Sequence, residues 1–561
     1  MTSANPLAGV ALTPAQTLMW IEGRLHPEVP VNNMVTRLDI RQRLDVGAFK
    51  QAFARLVDAH DAMRMVVSNS SGNFVATIAG GAQPELPFVD FSGDAAEQDF
   101  AAWIQRKCRQ VFGLDEQLHE AALVRLDEQH FVFFLNQHHC MTDGRSCQVM
   151  IADLDRVYRE ATGSGGGDES GQAAPHRSFG EYLVLRADYL RSEQARASEA
   201  YWNARFERAP EPVRFYGHGS DRKRASMRRH TRVLPLELSQ KILNVKRDTP
   251  PSIVFATALF AFLKRVTGNS DLCIGVPLLN RAPEFADTLG MFMEISRNRL
   301  NVGSEDNLSA LLGKIRAEAN DIKPHRSHTV TSRNGRFECM LNYRVPSDTR
   351  FGGAAASLQR IAAIALLDSV PGEESSAAGD WAGRTSLDVD ITHTPASGEF
   401  CLAMDFNIGV WPDAAARERS LDHFIRLLEH FFDNRTVLVD SLELPGEAEL
   451  RLLRSWNDTG RVYPSHTGIQ QLFEAQVERT PAAIALEFCD QRLSYRELDC
   501  RANRLAHALV RHGVQPCLLY TSDAADERSS VDPGGRRIIK KQKRQKKNID
   551  TRKTPKRRDT Q

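Results

Sequence analysis

Apolar residues in LDVGAFKQAFARLVDAH recur at three- and four-residue steps, so that Val46, Phe49, Phe53, Leu56, Val57 and His60 share one face of an amphipathic helix. HFVFFLNQ is short, β-branched and aromatic, and predicts a buried strand over 130–136. Helical spacing returns in SCQVMIADLDRVYRE through Val149, Met150, Leu154, Val157 and Tyr158. Gly163–Ala174 holds no apolar residue larger than alanine and predicts a flexible linker. A second mixed stretch follows, with helical runs over 182–206 and 251–267, a strand over 272–276, strands over 385–394 and 399–407, and a helix over 413–432. The pattern therefore predicts two comparable α/β lobes on either side of a loose linker. After Leu444 it becomes a polar connector, RLLRSWNDTGRVYPSH, and a new helical segment opens near Ile469. From Cys517 no periodicity survives, and disorder is expected there.

Composition narrows the class. At about 150 residues per domain the chain is long enough for three to four domain-sized units, and 42% hydrophobic with 25% charged residues is ordinary for a globular protein. Nine cysteines, an odd count with no Cys-x-x-Cys pair, argue against a disulfide framework or structural zinc and for a reducing compartment. No secretory leader is visible at the N-terminus, and the longest mostly apolar stretch, Ile253–Leu263, falls short of the roughly 20 residues a bilayer span needs. A cytoplasmic protein with no membrane partner is expected. The formal net charge is +1, yet residues 528–561 carry 14 basic and 3 acidic side chains, leaving 58 basic against 68 acidic in the rest. A uniformly basic nucleic-acid binder is thereby ruled out for the mildly acidic body, and no nucleic-acid partner is expected.

The sharpest chemical feature is Gln137-His138-His139-Cys140-Met141-Thr142-Asp143-Gly144, at a predicted strand-to-helix junction. Neighbours on an extended strand point to opposite faces, so the two imidazoles do not readily share a metal. One is expected to face a cleft and the other to pack inward. A neutral histidine there can take a proton near pH 7; the competing reading is a pair of core histidines. Asp143 suits the cap of the next helix, and Gly144 permits a tight turn or close approach. No Gly-x-Ser-x-Gly element stands nearby, which favours direct transfer between two substrates over a covalent enzyme intermediate.

HHCMTDG resembles the His-His-x-x-x-Asp-Gly motif of nonribosomal peptide synthetase condensation domains, members of the chloramphenicol acetyltransferase-like superfamily. LTPAQTLMW (12–20), HDAMR (60–64), YWNARF (201–206), IGVPLLNR (274–281) and LGMFMEISRNRL (289–300) are similar to further family elements, in family order. The resemblance implies a V-shaped condensation domain over 1–440, with an N-lobe of about 1–170, a C-lobe of about 175–440 and a central tunnel between them. It implies that His139 accepts a proton from, or orients, the attacking amine. His138 and Gly144 belong to the same catalytic turn, the backbone at Gly144 stabilising the oxyanion. Asp143 is implied to be structural and paired with Arg281, and Arg64 matches a further motif arginine. The implied partners are donor and acceptor carrier domains bearing 4′-phosphopantetheine, along with other synthetase modules; no metal is implied. Arg145 stands where many members have tryptophan, and Glu294 replaces an asparagine. These departures leave the subtype open between an L-acceptor, a D-donor and a starter domain. An ester-forming relative with a free acceptor and a silent recruitment platform are the alternatives.

Residues 469–516 resemble the N-terminal edge of an adenylation domain, LSYREL (493–498) being the clearest match, and 441–468 form the connector. The phosphate loop and catalytic lysine of that family are absent, so no ATP site is expected. Residues 517–561 are expected to be non-native, because CLLYTSDAADE resembles the translation of a sequencing adapter.

Overall fold

The computed structural model describes residues 10–514 except 26, 28–29, 31, 71–72, 81–84, 94, 114, 164–176, 218–226, 246–248, 329–334, 346–348, 362–384 and 463–465. Most of the expected linker and the whole expected tail lie outside the described residues. The chain divides into two compact units, Met1–Leu452 and Leu453–Gln561.

In the first unit the chain opens with β1 (Val10–Ala11), α1 (Pro14–Leu25), β2 (Asn33–Ile40), α2 (Val46–Ala59), β3 (Met65–Ser70), β4 (Asn73–Ile78) and β5 (Phe88–Asp90). Next come α3 (Ala96–Cys108), β6 (His119–Arg125), β7 (Phe131–His138) and α4 (Gly144–Thr162). The predicted strand is β7, and it runs two residues beyond the expected end. It is buried along its whole length because both its faces are covered. Phe131, Phe133 and Leu135 pack in a cluster with Phe49 and Phe53 of α2 and Leu154 of α4. Val132 and Phe134 pack on the other side with Phe100 and Ile104 of α3. His60, expected on the helix stripe, ends α2 as its C-cap residue, its buried ring 2.8 Å from Asp153.

The chain continues through α5 (Phe179–Arg191), α6 (Glu193–Arg205), β8 (Met227–Val233), α7 (Leu236–Leu243), α8 (Pro251–Thr267), β9 (Asp271–Leu279), β10 (Met293–Asn301) and α9 (Leu308–Ile322). It then adds β11 (Cys339–Arg344), β12 (Arg350–Phe351), β13 (Ala354–Ile361), β14 (Leu387–Thr394), β15 (Glu399–Asn407), α10 (Ala414–Asp433) and α11 (Glu447–Asn457). The helical run expected over 182–206 is two helices, because Ser192 leaves helical geometry (ψ 163°) and caps the second by accepting from the Ala195 N–H. Part of the expected polar connector is helical too, as α11. Glu449 ties α11 back to α10, with His423 Nε2 2.9 Å and Arg419 Nε 3.8 Å away.

Two six-stranded sheets result. The second, in the order β10-β9-β11-β14-β15-β8, is covered on one face by helices whose core includes Phe255, Phe260, Phe262, Phe424 and Phe431. The first, in the order β12-β13-β2-β7-β6-β5, is not built from the first half of the chain alone. β13 pairs antiparallel with β2, Leu358 opposite Leu38, so a segment far downstream closes that sheet's edge. Phe285, Met291, Phe292 and Phe351 likewise pack in the first core. A third, small sheet has the order β1-β4-β3.

The second unit holds α12 (Ile469–Arg479), where the helical segment was expected to open, a hairpin of β16 (Ile484–Phe488) and β17 (Gln491–Ser494), and α13 (Tyr495–Arg511). Ser494 and Glu497 form a capping box at the start of α13. Neither α12 nor α13 has a buried residue, and Ile469, Phe488, Leu505 and Val510 are all more than half exposed. Among the described residues of this unit the apolar faces of the helices have no buried core.

Candidate active site

The histidine pair sits where β7 stops. His138 is its last residue, and His139 opens a single 3₁₀ turn over 139–141 before Asp143 starts α4. Backbone bonds hold the turn from both sides: His138 N–H donates to Leu118 O (2.8 Å) and His139 N–H to Asn32 O (2.7 Å). Gln16, inside the LTPAQTLMW element, is wholly buried and donates from Nε2 to Cys140 O at 2.7 Å. That contact is the physical reason for a glutamine 124 positions upstream.

The two histidines differ in burial, His138 lying at the end of the strand and His139 in the turn beyond it. His138 is 5% exposed, and its Nδ1 accepts the Cys140 N–H at 3.2 Å. In the neutral ring the proton is therefore on Nε2. Burial, with a smaller contribution from the neighbouring His139, pushes its pKa down to about 3, so it is neutral at physiological pH. His139 is only half-buried.

Asp143 is fully buried and saturated with donors. Oδ1 accepts Ser146 N–H (2.8 Å) and Arg281 Nη2 (3.2 Å); Oδ2 accepts Phe292 N–H (3.0 Å). A carboxylate so occupied is a structural anchor and has no free oxygen with which to act as a base. Arg281 is engaged through both Nη atoms: Nη1 donates to the carbonyls of Phe285 (2.9 Å) and Thr288, Nη2 reaches Ser146 Oγ (2.8 Å), and the guanidinium carbon lies 3.9 Å from the centre of the Phe292 ring. Ser146 belongs to this cluster and was not anticipated from the sequence. Its hydroxyl donates to Gly290 O (2.5 Å) and accepts Gly290 N–H (3.0 Å), stitching α4 to the segment before β10. A serine three residues after a helix-capping aspartate was the available signal. At Gly290 a β-carbon would run into the Phe179 ring, so only glycine fits.

The structure thus brings His138, His139, Asp143, Gly144 and Arg281 together. Arg64, implied to be a further structural residue of the site, donates from its guanidinium to Asp58 O (3.3 Å), in the last turn of α2. Arg145 points outward from α4, 3.6 Å from Asp287. Among the described residues no group of three or more His, Cys, Asp or Glu is placed to hold a metal ion, and no helix is long and apolar enough to cross a membrane.

The family model described as "Condensation domain" matches residues 8–332, more than half of the chain. The chain belongs to the condensation-domain family. A model described as "AMP-binding enzyme" matches residues 473–517 of the second unit. Curated relatives include Gramicidin S synthase 2 of Aneurinibacillus migulanus, 24% identical over 84% of this chain and 10% of that protein. Malpibaldin synthetase of Mortierella alpina is 26% identical over 90% of this chain and 9% of that protein. The chain spans about a tenth of the length of these two relatives. Among solved structures, a starter condensation domain of rhizomide synthetase in complex with C8-CoA and Leu-SNAC superposes with a TM-score of 0.66. It is 21% identical and covers 78% of this chain and 98% of that one. The first condensation domain of the calcium-dependent antibiotic synthetase gives 0.64, at 20% identity, covering 78% of this chain and all of the other. The fold of this condensation domain is therefore the two-lobed chloramphenicol acetyltransferase-like one.

Proposed function

We propose that this condensation domain joins a donor acyl or peptidyl thioester to the amine of an aminoacyl thioester, each presented on the phosphopantetheine arm of a carrier domain. The amine nitrogen attacks the thioester carbonyl, a C–N bond forms, the C–S bond breaks, and the thiolate leaves with the proton that the nitrogen loses. His139 accepts or steers that proton. The backbone amide of Gly144, at the start of α4, faces the developing oxyanion with the positive end of the helix dipole. His138 and the Asp143–Arg281 pair hold the turn, and holding two substrates in line supplies much of the acceleration.

The observation that carries this reading is the contrast between two adjacent imidazoles: His138 buried, neutral and occupied at Nδ1, His139 half-buried on a turn fixed from three sides. Its test is His139→Ala with loaded donor and acceptor carriers, followed by intact mass of the acceptor. Product formation is expected to fall by about 100-fold or more; a wild-type rate would remove His139 from the mechanism. A fatty-acyl donor is the second reading, supported by the likeness to a starter domain whose complex contains C8-CoA. Offering octanoyl- and aminoacyl-loaded donors in competition separates the two. We assign the domain to the cytoplasm on the same reading, with synthetase modules as its neighbours.

A further inference from the structure

We infer that one face of α5 is a splint that sets the position of the catalytic turn, with Arg186 and Glu294 as its locking pair; this rests on the condensation reading above. Three residues of α5 meet three residues of the segment leading into β10, in step. Phe179 covers Gly290, the Tyr182 ring lies 4.4 Å from that of Phe292, and Arg186 Nη2 is 3.1 Å from Glu294 Oε1. Positions 179, 182 and 186 share one helical face, while 290, 292 and 294 advance two residues at a time. The opposite edge of the same segment holds the site: Gly290 bonds Ser146, and Phe292 N–H bonds Asp143. The N-terminal end of α5 is fastened to the first core, where Asp61 accepts the amides of Phe179 (3.0 Å) and Gly180 (2.8 Å).

Arg186 and Glu294 are each 5% exposed. Among the described residues Glu294 is the carboxylate that balances Arg186, and the guanidinium otherwise lies over the Tyr189 ring at 4.9 Å. Removing one partner takes from the other the buried ion pair that holds it, whereas removing both takes the guanidinium and the carboxylate of the pair out of the interior together. The pair therefore fixes the register between helix and strand. Glu294, a departure from the family's asparagine, is matched by its partner on α5. Both are positioning residues, since neither touches the turn itself.

The test uses the full chain with Arg186→Met, Glu294→Gln, the double variant Arg186→Met/Glu294→Met, and Arg186→Lys. Three quantities are measured: kcat and KM with loaded carriers, melting temperature, and amide exchange in peptides spanning 139–147 and 286–294. Each single neutralising variant is expected to lower kcat at least tenfold with KM within twofold, and to speed exchange in both peptides well below its melting temperature. Arg186→Lys and the double variant are expected to recover much of the exchange protection, and they serve where a single variant does not fold. Exchange in both peptides matching wild type, or a kcat loss accounted for entirely by unfolded protein, overturns the inference. If the wild type forms no amide while the exchange changes appear as expected, the splint stands and the condensation reading fails.

Discussion

At the scale of single residues, the site sets a buried, bonded ion pair, Asp143–Arg281, beside a half-buried histidine, His139. Asp143 and Arg281 are spent on structure, so their loss is read in stability before chemistry. Asp143→Ala removes a helix cap and strands a buried guanidinium, and is expected to cost about 3–5 kcal/mol in urea unfolding. His139→Ala, at a half-buried position, should leave the unfolding midpoint within a few tenths of a molar of wild type while abolishing most product. Buried histidines add a pH dependence with a definite sign. Burial holds His138 at about 3 and His119 at about 4, against an ordinary 6.5. Below pH 6.5 the unfolded chain takes up protons that the folded chain refuses, so stability falls as pH falls. The slope approaches about 1.4 kcal/mol per pH unit for each such histidine. His119→Gln should flatten the loss between about pH 6.5 and 4.5, which urea midpoints at several pH values measure directly.

At the scale of elements, junctions matter more than lengths. α4 begins where it does because Asp143 caps it, and that carboxylate also binds the Phe292 amide in the approach to β10. One side chain thereby fixes a helix start and a neighbouring segment. Gly290→Ala presses a methyl group into the Phe179 ring and is expected to destabilise by about 1–3 kcal/mol, with faster exchange over 286–294. In the second sheet Asp388 of β14 stands directly opposite Asp405 of β15. Like charges in register repel, and burial, reinforced by Asp405, raises Asp388 to about 7 from an ordinary 3.8. The folded state then holds a proton that the unfolded state releases above pH 3.8, so this group costs stability as pH rises toward 7. Asp388→Asn should gain more stability over wild type at about pH 8 than at about pH 5, a comparison that thermal melting at the two pH values makes.

At the scale of the whole molecule, the two halves of the first unit are not separable pieces of chain. β12 and β13 cover the edge of β2, and Phe285, Met291, Phe292 and Phe351 fill the first core from the second half. A fragment ending at residue 170 should therefore remain associated or unfolded in size-exclusion and amide-exchange measurements, whereas residues 1–452 should be monodisperse. The second unit shows the converse. Its elements form locally, and Ile469, Phe488, Leu505 and Val510 are each more than half exposed.

The sequence by itself determined what depends on near neighbours. Periodicity placed α2, β7, α4, α8, β14, β15 and α10 to within a few residues, because each buries a face whose spacing follows from backbone geometry. The order Asp143-Gly144-Arg145-Ser146 carried its own cap, and the two histidines carried the expectation that only one faces outward. The break at Ser192 and the helix after Glu447 escaped the pattern, since a brief change of backbone angle barely alters apolar spacing. Partners across space were decided by tertiary structure alone. Gln16 on Cys140, Ser146 on Gly290, Arg186 on Glu294 and the return of β13 to β2 all join residues far apart in the chain. Composition and periodicity hold no record of such pairs. The Asp143–Arg281 contact was anticipated from family likeness; for Arg64 the likeness supplied the residue but not the partner, Asp58 O.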